Sequence, residues 1–252
     1  MKMYRILKKS LIVLFIISGI IGCKKANNVK LNSSNLDNKI GYYHNLILSK
    51  YFTTSNKEDL KSATHFNYQN VEEDVVNIMV SIDNKRFDRN ELESSLKSSN
   101  KILDSLGIIQ MFNLKSSAVS GENDYFTKLV NYLYINHKIS LDLMDSLEKI
   151  NTLTIQEPME TQKILLEVKG LENKKWDEKD SKFLNAFTQV YESSYSFWTQ
   201  KEVGLKSTES SEAAATVLAD AAGALYGLWA SPVLSIIEGA AFSLVAIANY
   251  EQ

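Results

Sequence analysis

The chain has 252 residues, of which 44% are hydrophobic, 23% charged and 10% aromatic, enough apolar material for a real core and too much for a disordered chain. Two prolines and ten glycines are too few for an all-β sandwich that turns at short intervals. One cysteine excludes a disulfide framework and every zinc site built on several cysteines, and three histidines argue against a polyhistidine metal centre.

The N-terminus reads as an address. Lys2, Arg5, Lys8 and Lys9 precede an apolar run from Leu11 to Gly22, which is short for a transmembrane helix and fits a secretory signal. The run ends in Ile20-Ile21-Gly22-Cys23, which resembles a bacterial lipobox. That resemblance implies cleavage before Cys23 and its acylation with palmitate-type chains. A small residue at Gly22 lets the backbone enter a peptidase, and the thiol is the nucleophile that accepts the lipid. Residues 1–22 are therefore expected to be a signal peptide, and polar residues 23–35 a lipidated flexible tether. The bilayer is the expected partner, through Cys23. Lys24 and Lys25 are either contacts to lipid phosphates or solvated charges. No acidic run follows the cysteine, which favours the periplasmic face of the outer membrane over surface export. Removing the leader takes away four cations and leaves 24 Lys+Arg against 30 Asp+Glu, a net charge of −6. With no basic block left in the mature chain, nucleic acid is a poor partner.

Residues 36–252 read as one all-α domain, a single helical bundle. Leu36, Ile40, Tyr43, Ile47 and Tyr51 form a first apolar stripe at helical spacing. Val71, Val75, Ile78 and Ile82 form a second. Leu92, Leu96, Ile102, Leu103 and Leu106 form a third behind Asn90, with Gly107 placed where a helix ends. Met111, Phe112 and Leu114 give a short apolar stretch, followed by a loop over 115–121. Tyr125 to Leu133 and Ile139 to Ile150 resume the pattern on either side of a bend near Asn136-His137. Pro158 suits the first turn of a helix carrying Ile164, Leu165 and Val168, with Gly170 as its stop. Asp177 is a candidate cap for the longest helix, in which Phe183, Phe187, Val190, Ser194 and Phe197 form a packing seam.

The C-terminus is unusual. From Ala213 to Ala248 the charged residues are Asp220 and Glu238 alone. Ser231 can cap a helix and Pro232 suits its first position, which divides residues 213–249 into a hairpin of two helices, about 211–230 and 232–249. Gly223 and Gly227 form a GxxxG, and Gly239 to Ser243 repeats the small-xxx-small spacing, which lets two backbones approach closely. The second helix is apolar nearly all round and must be buried somewhere. Three burials are open: at the centre of this domain, in a bilayer after insertion, or as a constitutive span. Burial of Asp220 and Glu238 would raise their pKa values.

Three places are similar to helical lipoproteins of Bacteroidetes-type bacteria. Gly41-Tyr42-Tyr43-His44-Asn45 resembles their G-x-x-H-N motif. Ala186-Phe187 through Ser193-Ser194-Tyr195-Ser196-Phe197-Trp198 resembles a helix with a serine a few residues before a tryptophan. Ala219-Asp220-Ala221-Ala222-Gly223-Ala224 resembles the start of a Gly/Ala-rich C-terminal segment. The resemblance supports fold and location and brings no activity with it. The tail departs from it, with Leu, Ile and Phe in place of much of the glycine.

HExxH, GxSxG, P-loop and dinucleotide motifs are all missing, so no cofactor and no metal are expected. His44 with Asn45 is the candidate polar site; the alternative is a histidine hydrogen-bonded inside the bundle. Asp220, Gly223, Gly227, Pro232, Glu238 and Gly239 are the candidates for hairpin packing or insertion. Glu72-Glu73-Asp74 and Glu209 with Glu212 read as solvated faces or helix N-termini. The function expected is a membrane-anchored lipoprotein of the cell envelope that binds or scaffolds rather than catalyses, with a protein or envelope polymer as partner and no deep polar cleft. A membrane-active, bacteriocin-like protein with an inserting hairpin is the alternative. A third is a hydrolase of envelope polymers, which requires a cleft with two or more carboxylates or His44 with an acid partner.

Overall fold

Helix capping and apolar periodicity account for most of the chain. The computed structural model describes residues 36–54, 67–113, 124–199 and 211–250. The signal peptide, Cys23, the tether, Glu209 and the whole 115–121 loop fall outside the described residues, as does the side chain of Glu212. Among the described residues there are ten helices and no strand. They are α1 (Ile40–Thr54), α2 (Tyr68–Ile82), α3 (Arg89–Ser105), α4 (Ile108–Asn113), α5 (Asp124–Ile135), α6 (Leu141–Gln156), α7 (Thr161–Glu172), α8 (Glu178–Thr199), α9 (Ser211–Leu228) and α10 (Pro232–Tyr250). The chain is an all-α bundle with an apolar C-terminal hairpin, α9–α10.

The ends of the helices follow local chemistry. Asn67 caps α2 by accepting from the Gln69 N–H. Asp88 caps α3 by accepting from the Glu91 N–H at 3.0 Å. Gly107 stops α3 in the left-handed region at φ 72°, where a side chain would be strained. The bend at 136–137 is real, with His137 at φ 56°. Asp177 accepts from the Asp180 N–H at 2.6 Å and caps α8. Ser231 accepts from the Leu234 N–H at 3.1 Å and Pro232 opens α10, as the sequence suggests.

Two expected boundaries are corrected. Pro158 lies in the turn before α7, which begins at Thr161, because residues 158–160 are taken up by a tight turn closed from the Glu160 N–H to the Glu157 carbonyl at 2.9 Å. Gly170 does not end α7, which runs on to Glu172. The seam of α8 also drifts: Trp198 is buried and Phe197 only half-buried, so the stripe steps over by one residue at its end.

The hairpin is the centre of the bundle. Every side chain from Thr216 to Leu228 and from Pro232 to Ala248 is buried. Its two helices make the most extensive pairing in the fold. The α9 side packs mainly on α8 and also on α5 and α6, while the α10 side packs on α1 and α2 and touches α3 and α4. The covering helices are amphipathic, so most of the hairpin's apolar surface meets apolar stripes. Gly223 and Gly227 set the spacing. A Cβ on Gly223 would collide with the Glu238 carbonyl, and one on Gly227 with the Leu234 carbonyl. The two backbones are therefore in direct contact across the GxxxG face. Ser235 Oγ–H donates to the Ala224 carbonyl at 2.5 Å and ties the pair further. Among the described residues, no helix is long and apolar enough to cross a membrane.

Candidate functional site

Each helix of the hairpin carries one carboxylate into this apolar centre, and each carboxylate collects its own polar surroundings. Asp220 on α9 and Glu238 on α10 are both fully buried. The cost of desolvating such groups has to be met by hydrogen bonds from other helices.

Around Asp220 the donors come from α8 and α1. Ser194 Oγ–H donates to Asp220 Oδ2, and Trp198 Nε1–H donates to the same oxygen at 3.0 Å. Ser194 and Trp198 are four residues apart on α8, so both face one point. His44 of α1, itself fully buried, places Nε2 3.5 Å from Asp220 Oδ2, an ion-pair separation without hydrogen-bond geometry. Its Nδ1 lies 3.0 Å from Asn45 Oδ1, and Asn45 Nδ2–H donates to the Ser193 carbonyl at 2.8 Å. That second bond fixes the Asn45 amide, so Nδ1 is the donor. Gly41, one turn before His44, lets α1 lie directly on α8, since a Cβ there would strike Ser193 Oγ and the Gln189 carbonyl. Gly239 of α10 closes the cluster: a Cβ there would stand 3.1 Å from the Asp220 carbonyl and 3.3 Å from His44 Cδ2.

The structure thus brings together His44, Asn45, Asp220 and Gly239, which the sequence separates by up to about 200 positions. His44 has the acid partner that hydrolase chemistry asks for. Ser194, however, donates to Asp220 and not to His44, and the whole cluster is closed over. The arrangement is a polar clasp joining four helices, which is the second of the two readings that the sequence allows for His44.

Around Glu238 the donors come from α2 and α3. Tyr68 O–H donates to Oε2, and Ser99 Oγ–H donates to Oε1 at 2.6 Å. Tyr226 O–H in turn donates to the Ser99 carbonyl at 3.0 Å. Tyr68 is held by a stack on Phe112 and an edge contact to Phe242. Burial pushes the Glu238 carboxyl up to about 7, against the pull of the Ser99 and Tyr68 bonds. Burial and the facing Glu238 carboxylate push the Tyr68 hydroxyl well above its ordinary value.

Behind Glu238 lies a group that sequence reading assigns to a solvated face. Glu72 of α2 is only 6% exposed, while Glu73 and Asp74 beside it are exposed. This is a correction. The α2 stripe of Tyr68, Val71, Val75 and Met79 is wide enough that position 72 falls inside its edge. Burial, then the Glu238 carboxylate, push Glu72 up to about 8, while the bond from Asn100 Nδ2–H to its Oε2 at 2.6 Å pulls the other way.

Glu72 opens onto a groove of about 690 Å³ between α2, α3 and α4. Its floor is Glu72, Asn100, Val76, Leu96 and Ile109. Exposed Glu73, Glu93, Asp104, Lys97 and Lys101 stand on its rim. Residues from three helices build this groove, so no single stripe of the sequence announces it. Gly223 and Gly227 hold the two hairpin backbones together, Gly223 against the Glu238–Gly239 peptide beside the clasp, and Pro232 opens α10.

Comparison with family models, with curated proteins and with solved structures finds no match.

Proposed function

We propose that the chain is a lipid-anchored lipoprotein of the cell envelope, held by acylated Cys23 on the periplasmic face of the outer membrane, whose helical domain works as a binding module. The supporting observation is the burial of residues 216–228 and 232–248 of the apolar hairpin by the protein's own helices. A domain that hides its most apolar segment this way needs no bilayer to satisfy it, so attachment falls to the lipid. The groove over Glu72 is then the surface left for a ligand. The test is metabolic labelling with an alkyne-bearing palmitate. Wild type incorporates it and Cys23→Ser does not; labelling that survives Cys23→Ser, or none in wild type, overturns the anchor.

A second reading has a specific observation behind it. From Ala213 to Ala248 the hairpin's only charges are its two carboxylates, and burial already pushes one of them, Glu238, up to about 7. At mildly acidic pH that group carries no charge, and a sheathed apolar hairpin is the element a membrane-active protein would insert. Dye leakage from anionic liposomes that appears as pH falls from 7 to 5 would move the assignment to this reading; no leakage leaves the binding module. Hydrolysis of an envelope polymer draws on the groove's carboxylates. Release of soluble fragments from purified peptidoglycan, abolished by Glu72→Gln, is the result that would favour it.

A further inference from the structure

We propose that the groove between α2, α3 and α4 binds a small organic cation, a primary ammonium or guanidinium on an aliphatic stem, through Glu72 and Asn100. The inference rests on the binding-module reading and names its ligand class.

With Glu72 ionised, the floor of the groove carries two acceptors and no donor to meet them. Asn100 Nδ2 is committed to Glu72 Oε2 at 2.6 Å, which fixes the amide so that Oδ1 is the atom left over. Glu72 Oε1 and Asn100 Oδ1 are both buried and both lack a hydrogen-bond partner. They belong to two groups already joined by that bond, and both residues line the groove. Neighbouring unpaired acceptors call for a ligand with several donors on one centre, which an ammonium or a guanidinium supplies. The protein's own candidates stay out: Lys97 and Lys101 on the rim are exposed, and among the described residues neither pairs with Glu72.

The rest of the groove agrees. Val76, Leu96 and Ile109 line it beside the two polar groups and suit an aliphatic stem. Glu73, Glu93 and Asp104 outnumber the two rim lysines and favour a cation at the mouth. A metal ion fits less well. A hard divalent cation wants six or more oxygens, and among the described residues no three carboxylate, imidazole or thiolate groups converge. Both acceptor oxygens are closed to water, so binding includes a rotation of the Glu72 carboxyl toward the groove.

Binding must also move a proton. Glu72 faces Glu238 from α10, Tyr226 from α9, Tyr68 on its own helix, Asn100 from α3 and the rim charges. Burial and the Glu238 carboxylate hold its carboxyl at about 8. At neutral pH the empty site is therefore mostly protonated. The arriving cation favours the carboxylate, and the carboxyl proton passes to solvent as the ion pair forms. Affinity accordingly rises with pH and levels off above about 8.

The test is titration calorimetry of the full chain in mild detergent with agmatine, which carries both cationic groups on a butyl stem. 1-Pentanol is the uncharged control and calcium the metal control. One agmatine per chain is expected, about 25-fold tighter at pH 8.5 than at pH 6.5, with proton release seen at pH 6.5 by changing the buffer. Glu72→Gln, whose retained fold is checked by circular dichroism, lowers agmatine affinity at least tenfold and removes the pH dependence. Absence of agmatine binding to wild type, equal binding by Glu72→Gln, equal binding of pentanol, or displacement of agmatine by calcium overturns the proposal. If agmatine fails while the liposome experiment shows no leakage, this inference alone is lost. Leakage removes the binding-module reading itself.

Discussion

Asp220 and Glu238 stand on facing helices of one hairpin, both cut off from water, and the fold treats them differently. Asp220 receives two donors on a single oxygen and a histidine ring beside it, all from helices that close over it. Glu238 receives a phenol and a serine, but the next group outward is a second carboxylate, Glu72, at the floor of an open groove. The first setting offers its carboxylate a basic partner. The second confronts it with another acid and makes a proton the cheapest way to relieve the repulsion. The same residue class in the same apolar hairpin serves as a clasp at one point and as a proton-sensitive group at the other.

That contrast depends on the close approach of α9 and α10, so the largest effect is expected there. Gly227→Leu forces a side chain into the Leu234 carbonyl and should cost about 3 kcal/mol or more, read as loss of folded protein in denaturant unfolding. Asp220→Ala should cost about 3 kcal/mol, because Ser194 and Trp198 lose their acceptor and His44 its partner inside the core. Asp220→Asn, which keeps an acceptor, should cost less. A loss under 1 kcal/mol for Asp220→Ala would erase the distinction between the two carboxylates.

The acid pair predicts a pH profile. Glu72 and Glu238 are raised to about 8 and about 7 from an ordinary value of 4.5. The folded state therefore holds protons that the unfolded chain has released, and the unfolded chain binds fewer. Stability is full below about 4.5, falls as pH rises through the window from 4.5 to 8, and is level above it as far as these two groups are concerned. Thermal melts of wild type across that window should show the decline, and Glu238→Gln should flatten it. A profile that rises with pH in wild type, or an unchanged slope in the variant, contradicts this account of Glu238. The smallest effect marks the covering helices off from the hairpin. Gly170 has nothing within 4 Å of a Cβ, so Gly170→Ala should stabilise α7 by about 0.5–1 kcal/mol, the opposite sign to the change at Gly227.

Periodicity and punctuation carried much of the fold. The stripe spacings, Gly107, Asp177 and the Ser231-Pro232 division all describe forces between near neighbours, and they are found, except that the second stripe turns from Ile78 and Ile82 to Val76 and Met79 and the seam of α8 from Phe197 to Trp198. The misread boundaries are equally physical. Gly170 carries the same letter as a helix-ending glycine, and only its backbone, which stays helical, tells them apart. Pro158 opens a turn as readily as a helix. Of the site, His44, Asn45, Asp220 and Gly239 were legible as polar or small residues out of place in apolar runs. Their meeting was not, because Asn45 reaches Ser193 across 148 positions. Glu72 was hidden by its neighbours, since a buried glutamate between exposed acids has no one-letter signature. The signal that could have found it is its place one position from Val71 and three from Val75, at the edge of a wide stripe.

The central claim, that the hairpin is the protein's own core, is tested most directly by hydrogen exchange measured by mass spectrometry with and without anionic liposomes at pH 7. The account predicts that amides of 213–228 and 232–248 are among the slowest in buffer and do not change when vesicles are added. Rapid exchange in buffer that becomes slow only in the presence of lipid would contradict it.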